Sequence, residues 1–137
     1  MLSKTLKTLA FAIPLGLATS SLMADTFTGK LNGHGCAHAG GTCPTDRLDP
    51  HLALEPDFVL QKADGDYVFL SNVPCDTKVR HALEMVQVTG SLNPKYQTVI
   101  VDEFRVKTGD KYVTRWSQAA QKAEQDYLFK EHWFQHN

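Results

Sequence analysis

Between residues 58 and 116 apolar and polar positions alternate over short runs, the period of half-buried β-strands. Phe58-Val59-Leu60 and Tyr67-Val68-Phe69-Leu70 flank Ala63-Asp64-Gly65-Asp66, a hairpin turn in composition. Thr98 to Val106 gives the strongest strand signal, with Val99, Val101 and Phe104 as its inward candidates. Val86, Val88 and Gly90 lead out of a short helical stretch, Thr77 to Glu84, on which Val79, Leu83 and Val86 form an apolar stripe. Asn93-Pro94 and Lys107-Thr-Gly-Asp110 are turns, and Tyr112 to Trp116 is a further short strand. Upstream, Thr26 to Asn32 reads as a strand. Residues 33–56 read as a long loop, because glycines crowd its first half and Pro44, Pro50 and Pro56 follow. Beyond residue 115 the period changes. Trp116, Ala120, Ala123, Tyr127 and Phe134 mark one helical face, with Ser117 as the N-cap of a docked terminal helix.

Apart from the short strand Tyr112 to Trp116, the predicted order is strand, loop, strand, strand, short helix, strand, strand, helical extension. Five strands with a helix between the third and fourth is the order of an OB-fold, a small Greek-key barrel. Asp64-Gly-Asp-Tyr-Val-Phe-Leu70, Val86-Gln-Val-Thr-Gly-Ser-Leu92 and Val99-Ile-Val-Asp-Glu-Phe-Arg-Val106 carry a closer resemblance. Through them residues 26–108 resemble the small exported bacterial OB-fold domains. That resemblance implies a mainly β, five-stranded OB-fold-like barrel and a generic binding role, with no chemistry attached. The barrel domain is expected over residues 25–115 and the C-terminal helical extension over 116–137.

The first residues change the accounting. Lys4 and Lys7 precede an apolar run from Leu9 to Ala18 and a small-residue stretch ending at Ala24, the layout of a secretory signal peptide. The run is about half the roughly 20 residues of a membrane span. Cleavage is expected after Ala24, with Ser20 as the second choice, placing the mature chain in the periplasm or outside the cell. No later run is long enough to span a membrane. The whole chain has 14 Lys+Arg against 15 Asp+Glu, and losing the two leader lysines takes its net charge from −1 to −3. An acidic exported chain is a poor match for nucleic acid, whose phosphates need a basic surface.

Chemistry concentrates in the loop. Cys36 and Cys43 are expected to form a disulfide there, since an oxidising compartment permits it. Closing that eight-residue loop is worth about 2.5 kcal/mol in the chain-entropy model. Cys75 is then left over, and its pairing with either of the others is the competing connectivity. The alternative is a metal site. His34-Gly-Cys-Ala-His38 in an extended chain would turn both imidazoles and the thiol to one side, with Cys43 or His51 completing a zinc or copper set. The two readings exclude each other at Cys36.

Cys75, His81 and Met85 resemble the Cys–His–Met copper loop of cupredoxins. Pro74 and the long stretch after Met85 argue against that match. Cys-x-x-Cys-His is absent, which excludes the usual c-type haem attachment. His132 and His136, one helical turn apart, read as solvated, and Asp46, Asp49, Glu55 and Asp57 read as solvating residues and caps for Arg47 and Arg80 to pair with. Tyr67, Phe69 and Tyr96 are candidate ligand-stacking aromatics, with Phe69 better suited to the core. No nucleophile, paired-carboxylate or phosphate-binding motif stands out, so no residue is assigned a catalytic role. The sequence therefore points to an exported, non-enzymatic OB-fold binding or accessory protein whose partner is a periplasmic protein or small ligand. A copper- or zinc-binding carrier or electron-transfer protein is the alternative.

Overall fold

The computed structural model describes residues 24–130. Most of the expected leader, and the tail positions His132, Phe134 and His136, lie outside the described residues. Strands β1 (Asp25–Gly33), β2 (Phe58–Gln61) and β3 (Tyr67–Leu70) form an antiparallel meander. β4 (Met85–Asn93) pairs with the other edge of β1, and β5 (Thr98–Thr108) pairs with β4. A parallel pairing of Phe69 and Leu70 with Thr98 and Val99 then joins β3 to β5 and closes the ring. The architecture is a closed five-stranded barrel of OB-like pairing order, mainly β, as the strand order predicts. Closure removes the open edges that would otherwise expose unpaired backbone groups.

Alternation explains the core. Val68 and Leu70 of β3, Val86 and Val88 of β4, and Val99, Val101, Phe104 and Val106 of β5 turn inward onto Leu31, Phe58 and Leu60. At the register shift between Thr89 and Gly90, a Cβ on Gly90 would stand 2.1 Å from the Ile100 carbonyl oxygen, so only glycine lets β4 and β5 stay paired through the bulge.

The short helix between β3 and β4 is α3 (Cys75–Val79), shorter than the predicted Thr77–Glu84. His81 and Ala82 donate to carbonyls three residues back, and Leu83 takes φ 67°, so the helix tightens and unwinds into β4. Two further one-turn helices, α1 (His34–His38) and α2 (Leu48–Leu52), lie in the segment read from sequence as loop.

Beyond the barrel, β6 (Lys111–Ser117) adds a sixth strand along β5, and α4 (Gln118–Lys130) follows. Ser117 caps α4 as expected, its Oγ accepting the Ala120 N–H at 3.1 Å. α4 rests against β5 and β6 but buries none of its residues, a looser attachment than the docked helix expected. Trp116, at the joint, packs on the core edge and donates its indole N–H to Gln121 Oε1 at 2.6 Å. Among the described residues no helix is long and apolar enough to cross a membrane.

Candidate metal centre

The segment joining β1 to β2 buries little apolar surface, and a polar residue organises it. Asn32, next to last in β1, is fully buried. Its Oδ1 accepts the backbone N–H groups of Gly33 at 3.0 Å and Cys43 at 3.1 Å, while its Nδ2 donates to the Gly41 carbonyl at 2.8 Å and Gln61 Oε1 at 2.9 Å. One amide thus uses both ends to fold residues 41–43 back onto the barrel. At the far end of the segment, the His34 N–H donates to the Asp57 carbonyl at 2.8 Å, and the Asp57 carboxylate pairs with the buried Lys78 ammonium. Asp57 is therefore an internal ion-pair partner and not the solvating residue expected. A buried lysine without such a partner would be strongly unfavourable.

This folding brings four side chains to one point. Cys36 comes from the middle of α1, Cys43 from the stretch pinned by Asn32, His51 from α2, and Glu55 from just beyond it. One ligand atom from each lies within 4.8 Å of all the others. Cys36 Sγ is 3.0 Å from His51 Nε2, and His51 Nε2 is 3.1 Å from Glu55 Oε1. Cys43 Sγ stands 4.0 Å from Glu55 Oε1. Donors bound tetrahedrally to zinc at about 2.0–2.3 Å lie roughly 3.3–3.8 Å apart, so this set needs only small adjustments to accept an ion.

All three cysteines are free thiols, and Cys36 and Cys43 approach to 3.4 Å without bonding. The disulfide expected from sequence is thus not formed in this structure.

The surroundings tune the set. Glu55 has a side chain only 5% exposed, which corrects its reading as a solvating residue. Burial pushes its carboxyl up, but hydrogen bonds from the Gly35 N–H, the Cys36 thiol and His51 outweigh this and hold it below the usual carboxylate range. Burial, with hydrogen bonding to Cys43 and Glu55, pushes the Cys36 thiol up to about 12. Cys36 without metal therefore keeps its proton, and an incoming cation must displace it. Glu55 also explains two glycines. A Cβ on Gly33 would stand 2.4 Å from Glu55 Cδ, and one on Gly35 would stand 3.1 Å from Glu55 Oε2.

The arrangement differs from the His34–Cys36–His38 set expected from alternation, because residues 34–38 are helical and not extended. Four residues apart on a helix, His34 and His38 share one face, while Cys36 points away from them. Both imidazoles instead meet Tyr67 of β3, and His34 also meets Phe69. Phe69 packs at a tilt against His34 with ring centroids 5.0 Å apart and is absent from the core cluster, contrary to its expected burial.

The Cys75–His81–Met85 group is dispersed. Cys75 is exposed at the start of α3, and His81 Nδ1 bonds Glu84 at 3.0 Å and its ring packs on Phe104. Met85 opens β4 and lines a surface groove with Thr28, Lys30 and Gln61.

Comparison with protein-family models, with curated proteins and with solved structures finds no match to the chain. The reading of the site accordingly rests on its own geometry. Sequence reasoning named Cys36 and Cys43 and admitted His51 as a completing ligand, but it missed Glu55. The one signal available was its spacing, four residues beyond His51, although α2 ends at Leu52, short of Glu55.

Proposed function

We propose that this chain is an exported, non-enzymatic metal-binding protein that holds one Zn2+ between Cys36, Cys43, His51 and Glu55. The observation that supports this reading is the convergence of those four donors from four separate places in the chain to within 4.8 Å. Two thiolates, one imidazole and one carboxylate suit zinc: the sulfurs favour a soft or borderline ion, and the carboxylate disfavours Cu(I). Four protein ligands leave no open position, which is the character of a structural or storage site and not of a hydrolytic one. The ion would clasp the β1–β2 connection onto an OB-like barrel of the exported bacterial type, leaving the rest of the surface for a partner or small ligand.

Metal analysis of protein purified under reducing conditions tests this. One equivalent of zinc is expected, with a fall in melting temperature when a chelator removes it. Cys36→Ser and Glu55→Gln variants should take up zinc far more weakly while retaining the β-sheet circular dichroism spectrum.

The 3.4 Å approach of Cys36 and Cys43 favours a second reading, the stapling disulfide. Its formation would pass two electrons to a disulfide-bearing oxidase and release two protons. A mapped Cys36–Cys43 bond in protein from the periplasm, with no zinc bound even after reduction, would replace the metal reading by that one.

A further inference from the structure

The cluster on the other face of α1 shares no ligand with the zinc set. His34 and His38 lie one helical turn apart with ring centroids 5.9 Å from each other, and both face the phenol of Tyr67. Tyr67 Oη stands 3.1 Å from His38 Nδ1 and 3.5 Å from His34 Nε2, so two ring nitrogens and one oxygen converge. Phe69 closes the inner side against His34, while His38 is exposed and leaves the outer side open to water.

We propose that His34, His38 and Tyr67 form a second, surface metal site for a divalent ion of the Ni2+ or Cu2+ type. Two imidazoles bound to one tetragonal ion at about 2.0–2.1 Å place their centroids about 4.5 Å apart when cis and about 6.4 Å when trans, so the 5.9 Å present needs only small rotations of the rings to admit an ion. Nitrogen and oxygen donors without sulfur, and open positions for water, match the tetragonal preference of these ions. The phenol oxygen sits where the two nitrogens converge, so it serves as third ligand or as the hydrogen-bonding group that orients both rings. The site has two different carriers: α1 supplies the imidazoles and the barrel strand β3 supplies the phenol. An ion held there would tie α1 to the barrel from the side opposite the zinc set. This inference goes beyond the zinc reading and does not depend on it.

Titration of the full chain with Ni2+ separates the two sites, because nickel bound by cysteine gives an intense thiolate-to-metal charge-transfer band and nickel bound by imidazole and phenol does not. One equivalent is expected to bind, seen by calorimetry, without adding to that band. His34→Gln and His38→Gln should each weaken this equivalent at least about tenfold and leave the thiolate band unchanged. Tyr67→Phe should weaken it by a smaller factor. Full binding of this equivalent in both histidine variants would overturn the proposal, as would weakening by His132→Gln or His136→Gln in their place. Loss of the thiolate band with the nitrogen–oxygen equivalent retained would count against the zinc site alone and support the second site standing by itself.

Discussion

The barrel and the β1–β2 connection are ordered by opposite means. Every barrel strand turns Val, Leu or Phe side chains into one shared core, and Phe104, Val99 and Leu70 have no exposed surface. In residues 34–57 only Ala37 and Cys43 are buried apolar side chains. Hydrogen bonds made by the Asn32 amide and accepted by the Glu55 carboxylate hold that segment in place. Apolar burial is non-directional and spreads stability over many residues. Polar convergence is directional and gathers donors at one place, so the weakly packed connection is where the candidate ligands collect.

The largest effect expected from this contrast is in the barrel. Phe104→Ala empties the centre of the core and should lower unfolding free energy by about 3–5 kcal/mol in urea denaturation. Added zinc should not restore the lost stability in full, since the clasp lies outside the cavity left by the ring. A loss below about 1 kcal/mol would show that the barrel is not the stability-determining unit.

Next comes the amide that links the two regions. Asn32→Ala leaves the Gly33 and Cys43 N–H groups and the Gly41 carbonyl without their partner. Stranding buried polar groups costs about 1–3 kcal/mol each, with part recovered by water, so a total of about 2–4 kcal/mol is expected. Hydrogen exchange of the Cys43 amide should accelerate well beyond that of the β4–β5 amides. Equal acceleration in both places would mean that connection and barrel unfold as one unit.

The same contrast explains what could be read from sequence. Strands were legible because alternation of Val86 and Val88, or Val99 and Val101, follows directly from burying one face. The barrel order followed from the single helix between the third and fourth strands. α1 and α2 were not legible, because five residues with glycine or proline among them carry no periodic signal. That one error turned His34, Cys36 and His38 into a false trio, since extended and helical backbones sort the same residues onto different faces. Glu55 was misread for a related reason: an acid in a polar segment looks solvated until the chain folds two glycines against it. Asn32 gave no signal at all, as a strand-terminal asparagine is ordinary in composition.

Those glycines give a smaller test that targets the clasp alone. Gly33→Ala places a methyl 2.4 Å from Glu55 Cδ and must displace the carboxylate. Zinc affinity, measured by competition with a chromophoric chelator, should fall about 10- to 100-fold, the range for disturbing the shell around a metal. Gly35→Ala, with its closest approach at 3.1 Å, should fall less. Equal zinc affinity in the Gly33 variant and the parent chain would remove Glu55 from the ligand set.

The smallest effect belongs to a polar cluster on barrel strand β5, away from both the shared core and the connection. On the β5–β6 seam, Glu103 accepts from Arg105 Nη2 and from the Thr114 hydroxyl. Its carboxyl is held below the usual carboxylate range, first by the Arg105 hydrogen bond and then by Thr114, against a weaker push from burial. A depressed folded-state value means that the unfolded chain binds the proton more readily. The stabilisation is therefore fully present above the unfolded carboxylate value, about 4.3, and is lost as pH falls through the folded one. Glu103→Gln should cost under about 1 kcal/mol at pH 7, because solvent screens a partly exposed pair. The difference between parent and variant should shrink on acidification from pH 5 to pH 3. A cost at neutral pH as large as that of Asn32→Ala would break the comparison, since polar groups at an open seam would then hold the fold as firmly as polar groups gathered in the clasp.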